Sequence, residues 1–137
     1  MKKVCKSYVK VRYQETDQMK IVYHANYLVW FEIGRTEFIQ EQGMSYSELE
    51  QHGLLLPVLE ANCTYRKPAK YEDELTVLTS VQELKGARLT FHYQVVKDGE
   101  ILAEGFTRHA FTTPELRPVN LRSAMPDLYQ KLAEVVE

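Results

Sequence analysis

The sequence is poor in the residues from which small proteins build staples or metal centres. Its two cysteines, Cys5 and Cys63, are too few for a disulfide framework, and no Cys-x-x-Cys spacing suggests zinc or redox work. They read as reduced thiols and point to a cytoplasmic location. The four histidines show no zinc-ligand spacing, so neither a metal nor a cofactor is expected. No apolar run approaches the roughly 20 residues of a membrane helix. The segment Met1 to Ser7 starts basic and turns polar at once, without the apolar centre of a signal peptide. A formal net charge of -2 carries no basic footprint for nucleic acid. Repeats, low-complexity tracts and linkers are missing too. What is present is an ordinary mixture, 45% hydrophobic and 26% charged over 137 residues. It suits one domain, 1–137, large enough to bury a core of its own.

The order of elements is the informative part. Val9, Val11 and Tyr13 alternate with Lys10 and Arg12 as a strand would. A polar stretch, 14–20, interrupts it. From Asn26 to Gln42 the spacing becomes helical, with Tyr27, Trp30, Phe31, Gly34 and Phe38 on one face. Gly43 is suited to end this helix in a left-handed cap. Ser45 and Glu48 have capping-box spacing and open a short second helix that Gly53 can end. Strands follow. The stretch from Leu54 to Arg66 is broken by Pro57, which suggests an edge, a bulge or a late start. Leu75, Val77, Thr79 and Val81 alternate, as do Leu89, Phe91, Tyr93 and Val95, with a turn at Lys85-Gly86 between them. Asp98-Gly99 is a strong hairpin signal, and a strand through Ile101, Ala103, Gly105, Thr107, His109 and Phe111 follows it. Leu128, Leu132 and Val135 predict a last amphipathic helix with Pro126 in its first turn. The long helix must bury its apolar face, and the sheet is the only large apolar surface on offer. Gly34, costly by about 1 kcal/mol in mid-helix, marks a close approach between the two.

The candidate chemistry lies between the first strand and the long helix, in residues 13–27. Asp17 is a carboxylate ahead of a helix N-terminus, where backbone N–H groups carry partial positive charge. Such donors polarise a carbonyl and stabilise the oxyanion formed on attack. A nearby carboxylate can attack that carbonyl or deprotonate a water that does. The plainer alternative makes Asp17 and Asn26 turn and cap residues and His24 a hydrogen-bonded loop histidine. On spacing alone that alternative carries more weight.

A resemblance shifts the balance. Thr16-Asp17, then Val22-Tyr23-His24-Ala25-Asn26-Tyr27, then Trp30-Phe31-Glu32 resemble the signature of the 4-hydroxybenzoyl-CoA thioesterase family, in particular its YbgC/FadM-like acyl-CoA thioesterases. The similarity continues through Tyr65, Pro68-Ala69, Tyr71 and Asp73-Glu74-Leu75 to Gly86-Ala87-Arg88-Leu89. It implies an α+β subunit of the hot-dog fold, an antiparallel sheet of about five strands wrapped around one long helix. It also implies homodimers or tetramers with active sites at the subunit interface, and an acyl-CoA substrate. The family's catalytic aspartate falls on Asp17, and its oxyanion donor on the backbone N–H of His24. One departure stands out: Gln18-Met19-Lys20 replaces residues that are small, often glycine, in many relatives. If one of those glycines has positive φ, Lys20 must adopt a costlier conformation or the loop must differ.

Other residues are candidates by position. Tyr23, Asn26 and Tyr27, within the motif, are candidate substrate contacts; Tyr23 and Tyr27, with Trp30 and Phe31, either line an acyl pocket or form plain core. Arg66, Lys67, Lys85 and Arg88, at strand ends and turns, are candidates for the phosphate groups of coenzyme A. Glu15 reads as a solvated loop glutamate, Glu32 as an exposed helical one, and His92 and His109 as structural. Acyl carrier protein is an alternative carrier of the acyl group. Two rival functions remain. A hot-dog hydratase or dehydratase is disfavoured by the lack of a His-Phe-Pro segment. A non-catalytic acyl-CoA-binding module is disfavoured by the presence of Asp17 and the helix-start motif.

Overall fold

In the computed structural model, which describes residues 2–137, the strand pattern closes into one sheet. The strands are β1 (Cys5–Lys10), β2 (Val58–Tyr65), β3 (Glu74–Lys85), β4 (Arg88–Lys97) and β5 (Glu100–Ala110). All neighbours pair antiparallel in the order β1-β3-β4-β5-β2. The Asp98-Gly99 hairpin forms as expected, with φ of 50° and 79°. Pro57 delays β2, which starts at Val58 with a register shift by Glu60. Alternation runs from Cys5 through Ser7 to Val11, but Tyr13 leaves it. The chain turns into a 3-10 turn, Tyr13–Glu15, and exposes Tyr13.

The long helix α1 (Asn26–Glu41) crosses the concave face of the sheet. Trp30, Phe31 and Phe38 are fully buried there, and the Phe31 ring stacks on Tyr93 with centroids 4.2 Å apart. Gly43, at φ 87°, ends the helix. The helix α2 (Tyr46–Gln51) begins where the Ser45 hydroxyl accepts the Glu48 N–H at 3.1 Å. A short α3 (Leu121–Ala124), capped by Asn120, precedes α4 (Pro126–Val135). Leu128 and Leu132 of α4 are buried, and the chain after α4 bridges Val136 to Val81. That bridge covers the stretch of β3 edge beyond the end of β1.

Gly34 is where helix and sheet come closest. A Cβ at this position would overlap the Thr79 hydroxyl and press on Val77 of β3. The Thr79 hydroxyl is itself buried without a hydrogen-bond partner among the described residues, so it faces the helix at some energetic cost. An alanine for glycine in mid-helix ordinarily stabilises by about 1 kcal/mol. Here the sign reverses. Gly34→Ala is expected to lower the unfolding free energy by roughly 1–3 kcal/mol through overpacking, read from urea denaturation. A gain in stability would contradict the close approach.

Candidate active site

The loop between β1 and α1 is built from short-range hydrogen bonds. The Thr16 hydroxyl donates to the Tyr13 carbonyl at 2.7 Å and closes the 3-10 turn. Thr16 then bridges Val22, the Asp17 N–H donates to the Ile21 carbonyl at 2.9 Å, and the Lys20 N–H donates back to the Asp17 carbonyl at 2.9 Å. The result is a small hairpin with Asp17 at the start of its turn. One carboxylate oxygen of Asp17, Oδ1, accepts the Met19 N–H at 2.8 Å, as aspartates in turns commonly do. The other, Oδ2, has no partner among the described residues. Lys20 takes φ 67°, so the conformation that glycine adopts without cost is carried here by a lysine. The hairpin is tied to the sheet by an Ile21–Lys70 bridge and by the Val22 N–H on the Ala69 carbonyl at 2.9 Å.

The start of α1 shows where the free donors are. The N–H groups of Asn26, Tyr27 and Leu28, at the head of the helix, donate to the carbonyls of Tyr23, His24 and Ala25. The unpaired donors are one step earlier: the N–H groups of His24 and Ala25 have no acceptor among the described residues. The His24 carbonyl is held from a distance, accepting the Tyr65 hydroxyl at 2.9 Å. Partial burial, with Cys63 beside it, pushes Tyr65 up to about 12; like an ordinary tyrosine, it is a protonated donor at neutral pH. Tyr65 is a site residue that spacing did not reveal, since it lies far along the chain on β2.

Two openings flank the hairpin. One, about 580 Å³, is lined by Tyr13, Thr16, Asp17, Lys20 and Tyr71. The other, about 280 Å³, is lined by Ile21, His24, Tyr27, Tyr65, Arg66 and Lys67. Tyr23 is half exposed and its ring lies 4.5 Å from that of His24. Tyr27 is buried, and its hydroxyl accepts the Ala69 N–H at 3.2 Å, so it is mostly core with one edge on the smaller opening. Asn26 does not cap the helix from outside. Its amide donates to the Glu15 carbonyl at 2.9 Å. Trp30 and Phe31 are core.

Glu15 departs most from expectation. It is not a solvated loop residue: only 4% of its surface is exposed. Its carboxylate accepts the Trp30 indole N–H at 3.0 Å and the Arg12 N–H at 2.8 Å. Glu32 is exposed on α1. The buried His109 is pushed down to about 4 by burial, with Arg35 adding to the effect. It contacts the Leu56 carbonyl and the Thr107 hydroxyl, a structural role like that of His92 against Glu104.

The four basic candidates fall into two groups. Arg66 and Lys67 border the His24 opening, paired with Glu104 at 3.1 Å and Glu100 at 2.6 Å. Lys85 and Arg88 sit at the other end of the sheet, beside an apolar groove of about 720 Å³, with no carboxylate partner among the described residues. Arg66 hydrogen-bonds Leu102 of β5, next to the Ala103 that faces Val95 of β4. From Val95 back to Arg88 is roughly 23 Å of extended strand. One subunit therefore does not bring both groups to Asp17.

Comparison with known proteins places this arrangement. Residues 11–132 match the family described as the thioesterase-like superfamily. The YneP protein of Bacillus subtilis, named provisionally as an acyl-CoA thioesterase, is 40% identical over 126 residues, 90% of this chain and 91% of that one. The acyl-CoA thioesterase YbgC of Haemophilus influenzae is 34% identical over 103 residues, 74% of this chain and 76% of that one. Among solved structures, a DHNA-CoA thioesterase from Staphylococcus aureus superposes with a TM-score of 0.92 at 30% identity, covering 96% of this chain and 90% of that one. The chain belongs to the thioesterase-like superfamily, among its YbgC/FadM-like acyl-CoA thioesterases of hot-dog fold.

Proposed function

We propose that the chain hydrolyses an acyl-CoA to the free acid and coenzyme A, with Asp17 attacking or activating and the His24 N–H binding the thioester oxygen. Membership of the family makes the chain a thioester hydrolase; the assignment of the residues is our own reading. One observation carries it. One carboxylate oxygen on Asp17 is free, and the N–H groups of His24 and Ala25, two consecutive donors just ahead of α1, have no acceptor among the described residues; the other unpaired N–H groups between Asp17 and α1, on Gln18 and Ile21, belong to the hairpin itself. A base or nucleophile and an oxyanion donor are what acyl transfer requires. Asp17 either adds to the carbonyl carbon, expelling coenzyme A as thiolate and leaving an anhydride for water to open, or takes a proton from the water that adds. In both routes negative charge grows on the carbonyl oxygen, where the N–H of His24 receives it. Sulfur donates poorly into the carbonyl and thiolate leaves easily, so this sparse set suffices.

The two basic groups are reconciled by a second copy of the chain. Strand β2 is an edge strand exposed along nearly its whole length, with Leu59 61% exposed. An open edge of this kind invites strand pairing. If two copies pair β2 to β2 antiparallel, the Val58 end of one meets the Tyr65 end of the other. The Lys85–Arg88 turn and its apolar groove then lie against the His24 opening of the partner. Coenzyme A phosphates held there by Arg66, Lys67, Lys85 or Arg88 would be gripped across the interface, with Tyr23 at its edge. An acyl carrier protein would present the same pantetheine arm without the nucleotide.

Three outcomes test this reading. Asp17→Asn keeps the turn acceptor but loses the charge, and is expected to cut kcat on the order of 10²-fold with folding intact, measured by thiol release over a panel of acyl-CoAs. Near-wild-type turnover would refute the assignment. Arg88→Ala is expected to raise KM for acyl-CoA by roughly 10-fold or more at low salt with kcat little changed, and to show no defect on an acyl pantetheine thioester. Sedimentation is expected to give a dimer or tetramer; a 16.0 kDa monomer at micromolar concentration would refute the shared site.

A further inference from the structure

Glu15 is joined to the site by both its side chain and its backbone. Its carbonyl accepts the Tyr23 N–H at 2.8 Å and the Asn26 amide at 2.9 Å. Its carboxylate accepts the Trp30 indole N–H at 3.0 Å and the Arg12 N–H at 2.8 Å, with the Arg12 guanidinium 3.5 Å away. The carbonyl thus fixes the residue just before His24 and the first residue of α1. The carboxylate fixes the second turn of α1 and Arg12, two residues past the end of β1, where the chain enters the loop. Asp17 follows two residues later, and the Thr16–Val22 bridge closes the circuit. Because Trp30 is fully buried in the helix–sheet core, its indole N–H is a rigid reference point. We infer that Glu15 is a positioning residue, which holds the Asp17 carboxylate and the His24 N–H in register by anchoring both chain segments to α1. The inference rests on the roles given above to Asp17 and His24.

The residue type matters. An ionised carboxylate offers acceptors on both oxygens, and here each oxygen meets an N–H donor. Glutamine offers one acceptor and one donor, so it must turn its NH₂ toward either the Arg12 N–H or the indole N–H. Aspartate is a methylene shorter and cannot span both donors. An error of about 1 Å in the placement of reacting groups costs up to roughly 10²-fold in rate, so a small rotation of the loop is enough to show in turnover.

The test is Glu15→Gln, assayed for thiol release beside Asp17→Asn. The sequence has one tryptophan, so its indole N–H signal in a nitrogen–proton NMR spectrum reports on the Trp30 bond without overlap. Expected are a folded protein, a shifted indole signal, displaced amide signals at Asp17 and His24, a kcat lower by about 10-fold or more, and a KM within about 3-fold of wild type. Adding Trp30→Phe to Glu15→Gln removes the opposed donor, so the two losses should be less than multiplicative. Wild-type kcat in folded Glu15→Gln overturns the inference, as does a lowered melting temperature with kcat intact. If Glu15→Gln does not fold, Trp30→Phe alone decides: a kcat loss of about 3-fold or more at unchanged KM supports the inference, and wild-type kcat overturns it. Loss of turnover in Asp17→Asn with Glu15→Gln silent overturns this inference alone. Full turnover in Asp17→Asn removes the Asp17 assignment, and the displaced or unmoved amide signals then decide whether Glu15 sets the loop.

Discussion

The seating of α1 on the sheet is the constraint from which the rest follows. Trp30, Phe31 and Phe38 give up all contact with solvent, and the backbone at Gly34 lies so close to Thr79 that no side chain fits between them. Interiors packed to this density do not let a helix slide. Once α1 is seated, the position of its first turn relative to β3 and β4 is settled to a fraction of a helical rise. The chain then needs only a link from that fixed body to the loop. The buried bond from the Trp30 indole to Glu15 supplies it.

Around this link, polar groups are arranged so that little of the loop can move. The Tyr27 hydroxyl receives the Ala69 N–H from below the hairpin, and Tyr65 reaches across from β2 to the His24 carbonyl. Burial raises both tyrosines above their ordinary range, and both act as neutral hydrogen-bonding groups. The free oxygen of Asp17 lies in the hairpin, and the free N–H groups of His24 and Ala25 lie together just ahead of α1. Lys20, at φ 67°, shows the same loop accepting local strain, which persists only where surrounding bonds over-determine the backbone.

The edges of the sheet tell a complementary story. The chain after α4 bridges Val81 of β3 just beyond the stretch that β1 covers, and β1 itself forms that edge of the sheet. β2 is left bare. Basic residues stand at both ends of the sheet, Arg66 and Lys67 near His24 and Lys85 and Arg88 at the far turn. In the proposed dimer a two-fold axis between two β2 strands brings unlike ends together, because isologous pairing sets each end of a strand against the other.

The sequence by itself determined the local elements and singled out the candidate loop. The 3.6-residue spacing of Trp30, Phe31, Gly34 and Phe38, the period-2 spacing along β3 and β4, the Ser45 cap and the Asp98-Gly99 turn are written in near neighbours, and steric preference reads them without help. The motif from Thr16 to Tyr27 marked the candidate segment, and the departure from glycine at Gln18-Met19-Lys20 left two outcomes, a costlier Lys20 or a different loop; Lys20 takes φ 67°. Tertiary structure decided the fate of individual polar residues. Glu15 is buried because an indole N–H fifteen residues later in the chain turns toward it. Tyr13 leaves its strand because the chain must turn there to reach α1. Tyr65 joins the site from β2, and Lys85 and Arg88 are carried to the far end of the sheet. Whether a polar side chain is solvated, buried or brought to a site depends on which distant segments pack beside it, and no local pattern encodes that neighbourhood.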